Sequence, residues 1–124
     1  MIATGARPHM PDFLGADQPG VVHAWDVVAD KVSVGKYVVI ADSMLDWVSF
    51  GVAEKLARAG HAVTLCALGY EAGDNLPIGT KRHWLGVLHT LGITTVPLMR
   101  LGGSRTIPPI SNTLSTARWC RSRA

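Results

Sequence analysis

The stretch Asp42-Ser43-Met44-Leu45-Asp46-Trp47-Val48-Ser49-Phe50-Gly51 gathers the residue types best able to meet a ligand. It lies between a β-branched run and a helical pattern. In a dinucleotide fold that junction holds a pyrophosphate, because glycines let the backbone approach the phosphates and the first amides of the helix face the anion. Here the glycine fingerprint is absent, and Gly51 falls inside the helix. Asp42 and Asp46 would repel a phosphate, whereas Ser43, Ser49 and the helix backbone could donate to one. Two readings stand side by side: a turn that no longer binds a dinucleotide, and a modified nucleotide site that uses Ser43 and Ser49. Ribose recognition falls to an acid near the end of the second strand of such a fold. That stretch is Cys66-Ala67-Leu68-Gly69, with no acid and no arginine, so neither NAD nor NADP is favoured. Glu71 and Asp74 lie further on and read as solvated loop acids.

Other chemistry-bearing residues are scattered. His9, His23, His61, His83 and His89 form no metal-ligand motif and read as surface or capping groups. Cys66 and Cys120 are too few for a disulfide scaffold or a cysteine zinc site; a Cys66–Cys120 redox pair stays open as an alternative, without a Cys-x-x-Cys motif to support it. They read as cytosolic thiols, Cys66 as a small buried apolar residue and Cys120 as an exposed thiol. Trp47 and Trp84 read as core or edge packing.

The elements that would position these residues follow from periodicity. Residues 1–34 are punctuated by Pro8, Pro11 and Pro19-Gly20 and read as irregular, with a turn of helix over Trp25–Asp30. Tyr37–Ala41 is a continuous apolar run that suits a strand of a parallel sheet. Trp47–Ala59 has helical spacing, with Val48, Val52, Leu56 and Ala59 as its apolar stripe, Asp46 or Ser49 as N-cap and Gly60 as its stop. Ala62–Cys66 is the second strand, completing a βαβ unit with a right-handed crossover. Residues 69–79 read as a loop. Thr80–Leu91 reads as a second helix with Trp84, Leu85, Leu88 and Leu91 on one side, and Ile93–Val96 as a third strand. Beyond Gly102-Gly103 no pattern remains. The expected fold class is α/β: a partial Rossmann-like βαβ with a parallel sheet of three strands and two helices, preceded by an irregular linker. Its open edges favour marginal stability and self-association.

Composition bounds the rest. With 124 residues, 48% of them hydrophobic, the chain has room for one small cored domain. No apolar run approaches the ~20 residues of a membrane-spanning helix, and no signal peptide is evident. The expected location is cytoplasmic, with no membrane partner. Residues 1–74 carry nine acids and five bases, while residues 75–124 carry seven bases and no acid, so the net +3 divides into −4 and +7. Arg105, Arg118, Arg121 and Arg123 could contact phosphates non-specifically, but no nucleic-acid-binding motif adds specificity. The tail reads as a solvated terminus and nucleic acid as an unlikely partner.

Ile2-Ala3-Thr4-Gly5-Ala6-Arg7-Pro8 resembles the "ATG" segment of flavoproteins with two dinucleotide folds. Gly20–Val27 resembles the linker that follows it in one branch. That branch contains trimethylamine dehydrogenase, dimethylamine dehydrogenase and the 2,4-dienoyl-CoA reductase type of NADH:flavin oxidoreductase. Residues 35–40, then 52–65, then 80–93 continue the likeness in the same order. The resemblance implies a fragment of a flavin-dependent oxidoreductase. Residues 1–34 would be the end of a first dinucleotide fold plus a linker, residues 35–103 a partial Rossmann-like nucleotide-binding domain, and residues 104–124 an irregular basic tail that suits a truncated or altered reading frame. FMN, a four-iron cluster and the reacting substrate would belong to a barrel that this chain lacks. The chain alone would have no turnover. Ala3, Thr4 and Gly5 would approach FAD, or the ADP that takes its place in the amine dehydrogenase, which also departs from the glycine rule; the alternative, favoured where the rest of that fold is absent, is that Thr4 and Gly5 simply form a tight strand-to-linker turn.

Overall fold

The computed structural model describes residues 4–5, 16–101 and 120–122. Three parallel strands, β1 (Tyr37–Asp42), β2 (Ala62–Ala67) and β3 (Thr94–Val96), form one sheet in the order β1-β2-β3. Tyr37 pairs with Ala62 and Asp42 with Ala67, without a break in register. Thr64 pairs with Thr94. Helix α2 (Trp47–Arg58) joins β1 to β2, and α3 (Ile78–Thr90) joins β2 to β3. The two helices pack on each other through Phe50 and Trp84, whose rings stack with centroids 5.8 Å apart. The arrangement is the expected Rossmann-like α/β fold.

Local chemistry explains the boundaries. The Asp46 side chain caps α2 by accepting from the Val48 amide at 2.9 Å. Gly60, at φ 91°, gives α2 its left-handed exit. Helix α3 starts two residues before the expected Thr80. Pro77 precedes it at φ −55°, and the Pro77 carbonyl accepts from the Lys81 amide at 2.9 Å, so the first turn forms without a side-chain cap.

The core lies between sheet and helices. Phe50, Leu65 and Leu88 are its largest fully buried side chains, each worth about 1.5–3 kcal/mol in apolar burial. Trp84, Leu85, Leu88 and Leu91 all face it, as their spacing predicts. The α2 stripe is rotated from expectation. Ser49, Phe50, Val52, Ala53 and Leu56 are buried, whereas Val48 and Ala59 are exposed. The stacking of Phe50 on α3 sets that rotation and turns Val48 and Trp47 outward.

Three features extend or correct the sequence reading. A short helix, α1 (Ala24–Val28), packs on α2 and is held there by Lys55, whose amine donates to the Val27 and Val28 carbonyls at 3.1 and 2.8 Å and to Asp30 at 2.6 Å. These bonds satisfy carbonyls that a helix C-terminus leaves open. Second, β4 (Met99–Leu101) and β5 (Cys120–Ser122) pair antiparallel, so the segment read as patternless supplies a strand. Third, Cys66 is buried as expected but is disulfide-bonded, which corrects its reading as a free thiol. The backbone shows why this was not legible. β4 lies against β2, and β5, which opens at the chain's other cysteine, pairs with β4.

Candidate functional site

The β1–α2 turn sits at the C-terminal end of the sheet, where open α/β sheets bind their ligands. Three of its hydrogen-bond donors, the Leu45 and Val48 amides and the Ser49 hydroxyl, already have partners. Asp42, only 5% exposed, accepts from the Leu45 amide at 2.8 Å and from the Ser49 hydroxyl at 2.8 Å. Ser49 also reaches the Asp46 carbonyl at 3.1 Å. With the Asp46 cap on Val48, two carboxylates of the chain hold amides and a hydroxyl at the start of α2. Burial pushes the Asp42 carboxyl above its ordinary range, and the charge of Asp46 adds to this; the bonds from Ser49 and Leu45 pull the other way.

A second layer closes over the turn. Leu45 adopts a left-handed backbone, φ 55°, unusual for a branched residue. Its carbonyl accepts from the Asn75 amide at 3.0 Å, and the Asn75 side chain donates to the Met44 carbonyl at 2.7 Å. The 69–77 loop is in turn anchored by Lys81, whose amine pairs with Glu71 and Asp74, both at 2.7 Å. Glu71 and Asp74 are therefore ion-paired anchors of the loop. Gly73, at φ 73°, lies against Phe50, and Ala72 is buried beside it.

The residues singled out from sequence are distributed as follows. Ser49 is buried with its hydroxyl on Asp42, and Ser43 is exposed on the turn. Thr4 and Gly5 are exposed; Gly5 has φ 72° and no atom within 4 Å of where a β-carbon would stand. Ala3 lies outside the described residues, as do most of 104–124. His23 caps α1 through the Trp25 amide at 3.3 Å, and Nδ1 of His61 lies 2.8 Å from the Gly35 carbonyl oxygen. Trp84 packs on Phe50, whereas Trp47 is 68% exposed. Leu45, Ala72, Gly73, Asn75 and Lys81 were not singled out. The roles of Leu45, Gly73 and Asn75 depend on contacts between β1–α2 and a loop some thirty residues later, which no local pattern encodes, whereas Lys81 pairs within that loop's own neighbourhood.

A dinucleotide does not fit the turn as it stands. Two carboxylates stand at the turn, the amides of Leu45 and Val48 are taken, and no glycine opens the backbone. Among the described residues no group of three His, Cys, Asp or Glu side chains could hold a metal ion. An apolar groove of about 520 Å³ runs between α1 and α2, lined by Trp25, Val28, Trp47, Val48 and Gly51. Its one charged neighbour, Lys55, is tied to α1. Among the described residues no helix is long and apolar enough to cross a membrane.

No protein-family model matches the chain, and no curated protein does. Solved structures do. A 2-naphthoyl-CoA reductase in complex with 2-naphthoyl-CoA aligns with TM-score 0.75 and 24% identity, over 82% of this chain and 15% of that one. The 6-hydroxypseudooxynicotine amine oxidase of Pseudomonas geniculata N1 aligns with TM-score 0.67 and 23% identity, over 82% of this chain and 15% of that one. The ferredoxin reductase for the CYP199A2 system of Rhodopseudomonas palustris aligns with TM-score 0.67 and 17% identity, over 86% of this chain and 27% of that one. At these identities the likeness establishes the fold. The chain spans about a quarter or less of the length of these structures.

Proposed function

We propose that this chain is the dinucleotide-fold module of a larger flavin-dependent oxidoreductase, of the amine dehydrogenase or NADH:flavin oxidoreductase type. The observation that carries this reading is the β1-α2-β2-α3-β3 unit, which aligns with parts of a reductase, an amine oxidase and a ferredoxin reductase. In this reading the redox chemistry lies elsewhere in the parent enzyme, FMN and an iron–sulfur cluster included. Contact with FAD or ADP falls to the Ala3–Gly5 segment, where Thr4 can hydrogen-bond and the uncrowded Gly5 permits close approach. A dye-reduction assay with NADH or amines tests the first part: the purified chain gives no turnover above a denatured control, and turnover would overturn the reading.

The closed β1–α2 turn favours a second reading, a structural module without a nucleotide of its own. Calorimetric titration with ADP, FAD and NADH separates the two. Saturable ADP or FAD binding, lost on Gly5→Val, supports the first reading. Heats of dilution alone with all three support the second. Saturable NADH binding contradicts the second reading and, within the first, favours the NADH:flavin oxidoreductase type over the amine dehydrogenase type; it also requires the turn to open.

A further inference from the structure

Strand β1 has β2 on one side and, among the described residues, no strand on the other. Backbone bonds show which of its groups face outward. The Ala62 amide donates to the Lys36 carbonyl at 2.8 Å, and the Leu68 amide to the Asp42 carbonyl at 3.0 Å. Backbone direction alternates along a strand, so Lys36, Val38, Ile40 and Asp42 face β2. Tyr37, Val39 and Ala41 therefore turn their N–H and C=O groups away from it. Tyr37 and Ala41 are exposed and Val39 is half-buried, and among the described residues no strand is paired to this edge.

Natural edge strands carry proline, a bulge or a charged side chain that blocks pairing. Tyr37–Ala41 has none of these: no proline, an unbroken register and no charge. The nearest cation, Lys36, precedes the strand and sits over the Tyr37 ring at 5.8 Å.

We propose that a second copy of this chain adds to this edge, β1 against β1, antiparallel about a two-fold axis through Val39. A two-fold perpendicular to the sheet is the operator that lays an edge beside itself, and it makes the two strands antiparallel. In an antiparallel ladder, opposed residues exchange both bonds or neither. Centring on Val39 opposes Val39 to Val39 and Tyr37 to Ala41, so all three outward-facing residues of each copy meet outward-facing partners. Centring on Val38 or Ile40 leaves one of the three without a partner within the strand. The edge is thus self-complementary: a second copy satisfies every outward-facing group of the strand with none left over. The product is one continuous sheet of six strands, with both helix layers on the same side. On the other side, each Tyr37 ring crosses toward the small Ala41 of its partner, a favourable cross-strand pair.

Amide exchange of the full chain across a hundredfold concentration range, with sedimentation equilibrium, tests this. The amides of Tyr37, Val39 and Ala41 slow at least tenfold as the dimer forms, while those of Val38 and Ile40 are protected throughout. Val39→Pro removes an outward N–H and no bond to β2, so it yields a folded monomer at concentrations where the parent is dimeric. Ala41→Lys, which adds an edge charge without touching the backbone, does the same and stands in if the proline variant does not fold. Three results would overturn the proposal. The outward amides could be protected equally at every concentration, which would place a segment of the same chain on the edge. They could be unprotected at every concentration. Or the dimer could persist in Ala41→Lys.

Discussion

Replacing Asp42 tests whether the chain's own carboxylate has become the anion of the β1–α2 turn. Asp42→Ala removes the acceptor for the Leu45 amide and the better acceptor for Ser49; the Ser49 hydroxyl keeps the Asp46 carbonyl at 3.1 Å. One donor is stranded on a residue already held at φ 55°. The expected loss is about 1.5–3 kcal/mol, the range for a hydrogen bond to a charged group. Asp42→Asn behaves differently. Its amide oxygen still accepts from Leu45, its amide nitrogen donates to the Ser49 oxygen, and no charge is buried. It should lie within about 1 kcal/mol of the parent at pH 7. The pH dependence has a definite sign. Burial raises the Asp42 pKa above 3.8, so the folded state holds this proton more tightly than the unfolded chain does. That contribution is fully present below the unfolded value and is lost as pH rises through the folded one. Urea unfolding at intervals from pH 4 to pH 7 should show Asp42→Asn gaining on the parent as pH increases. The difference between the two proteins isolates Asp42 from every other titrating group. The reasoning fails if the parent gains on the variant as pH rises, or if the asparagine substitution costs as much as alanine.

Three further outcomes follow from the same geometry. Phe50→Ala removes a fully buried ring stacked on Trp84 and should destabilise by about 3–5 kcal/mol in urea unfolding; a loss under about 1 kcal/mol would mean that Phe50 does not join α2 to α3. Gly73→Ala places a β-carbon 2.5 Å from the Phe50 ring at φ 73°, and should cost about 1–3 kcal/mol with faster exchange of the Leu76 amide, which bonds to the Gly73 carbonyl. Lys81→Met releases Glu71 and Asp74, so the Glu71 amide should exchange faster and the thermal midpoint fall at pH 7. Because Lys81 and the Glu71 amide hold Asp74 below 3.8, that stabilisation is present above the ordinary value and disappears as pH falls through the lowered one. Parent and variant midpoints should therefore converge on strong acidification.

The elements were legible because each has its own local signal. The β-branched run at Tyr37–Ala41, the Asp46 cap, Gly60 and the Trp84-Leu85-Leu88-Leu91 spacing each report on a few neighbouring residues, and the packed fold agrees with them. The α2 stripe was misjudged because spacing alone cannot distinguish Val48 from Phe50; contact with Trp84 decides between them. At the turn, the absent glycines and the unfavourable carboxylates were visible in sequence. That Asn75 covers Met44 and Leu45 was not visible, because it joins segments some thirty residues apart; that Asp42 turns inward onto Ser49 and Leu45 was not visible either, because residue type alone does not say which way a carboxylate in a turn points. The β4–β5 pairing is hidden for the same reason, since residues 120–122 have no pattern of their own to predict it.

The strand order has a consequence for how the molecule is made. Each strand of the main sheet lies beside the one synthesised just before it: Tyr37 meets Ala62 after 25 residues, and Thr64 meets Thr94 after 30. The entropy of closing two loops so similar in length differs by only about 0.2 kcal/mol. No strand must wait for a distant one or be threaded between two already in place. Assembly can proceed in one direction, β1 serving as the template for β2 and β2 for β3, while the chain is still leaving the ribosome. Among the described elements only the β4–β5 ribbon lies off that progression, and it closes last, when residues 120–122 return to Met99–Leu101.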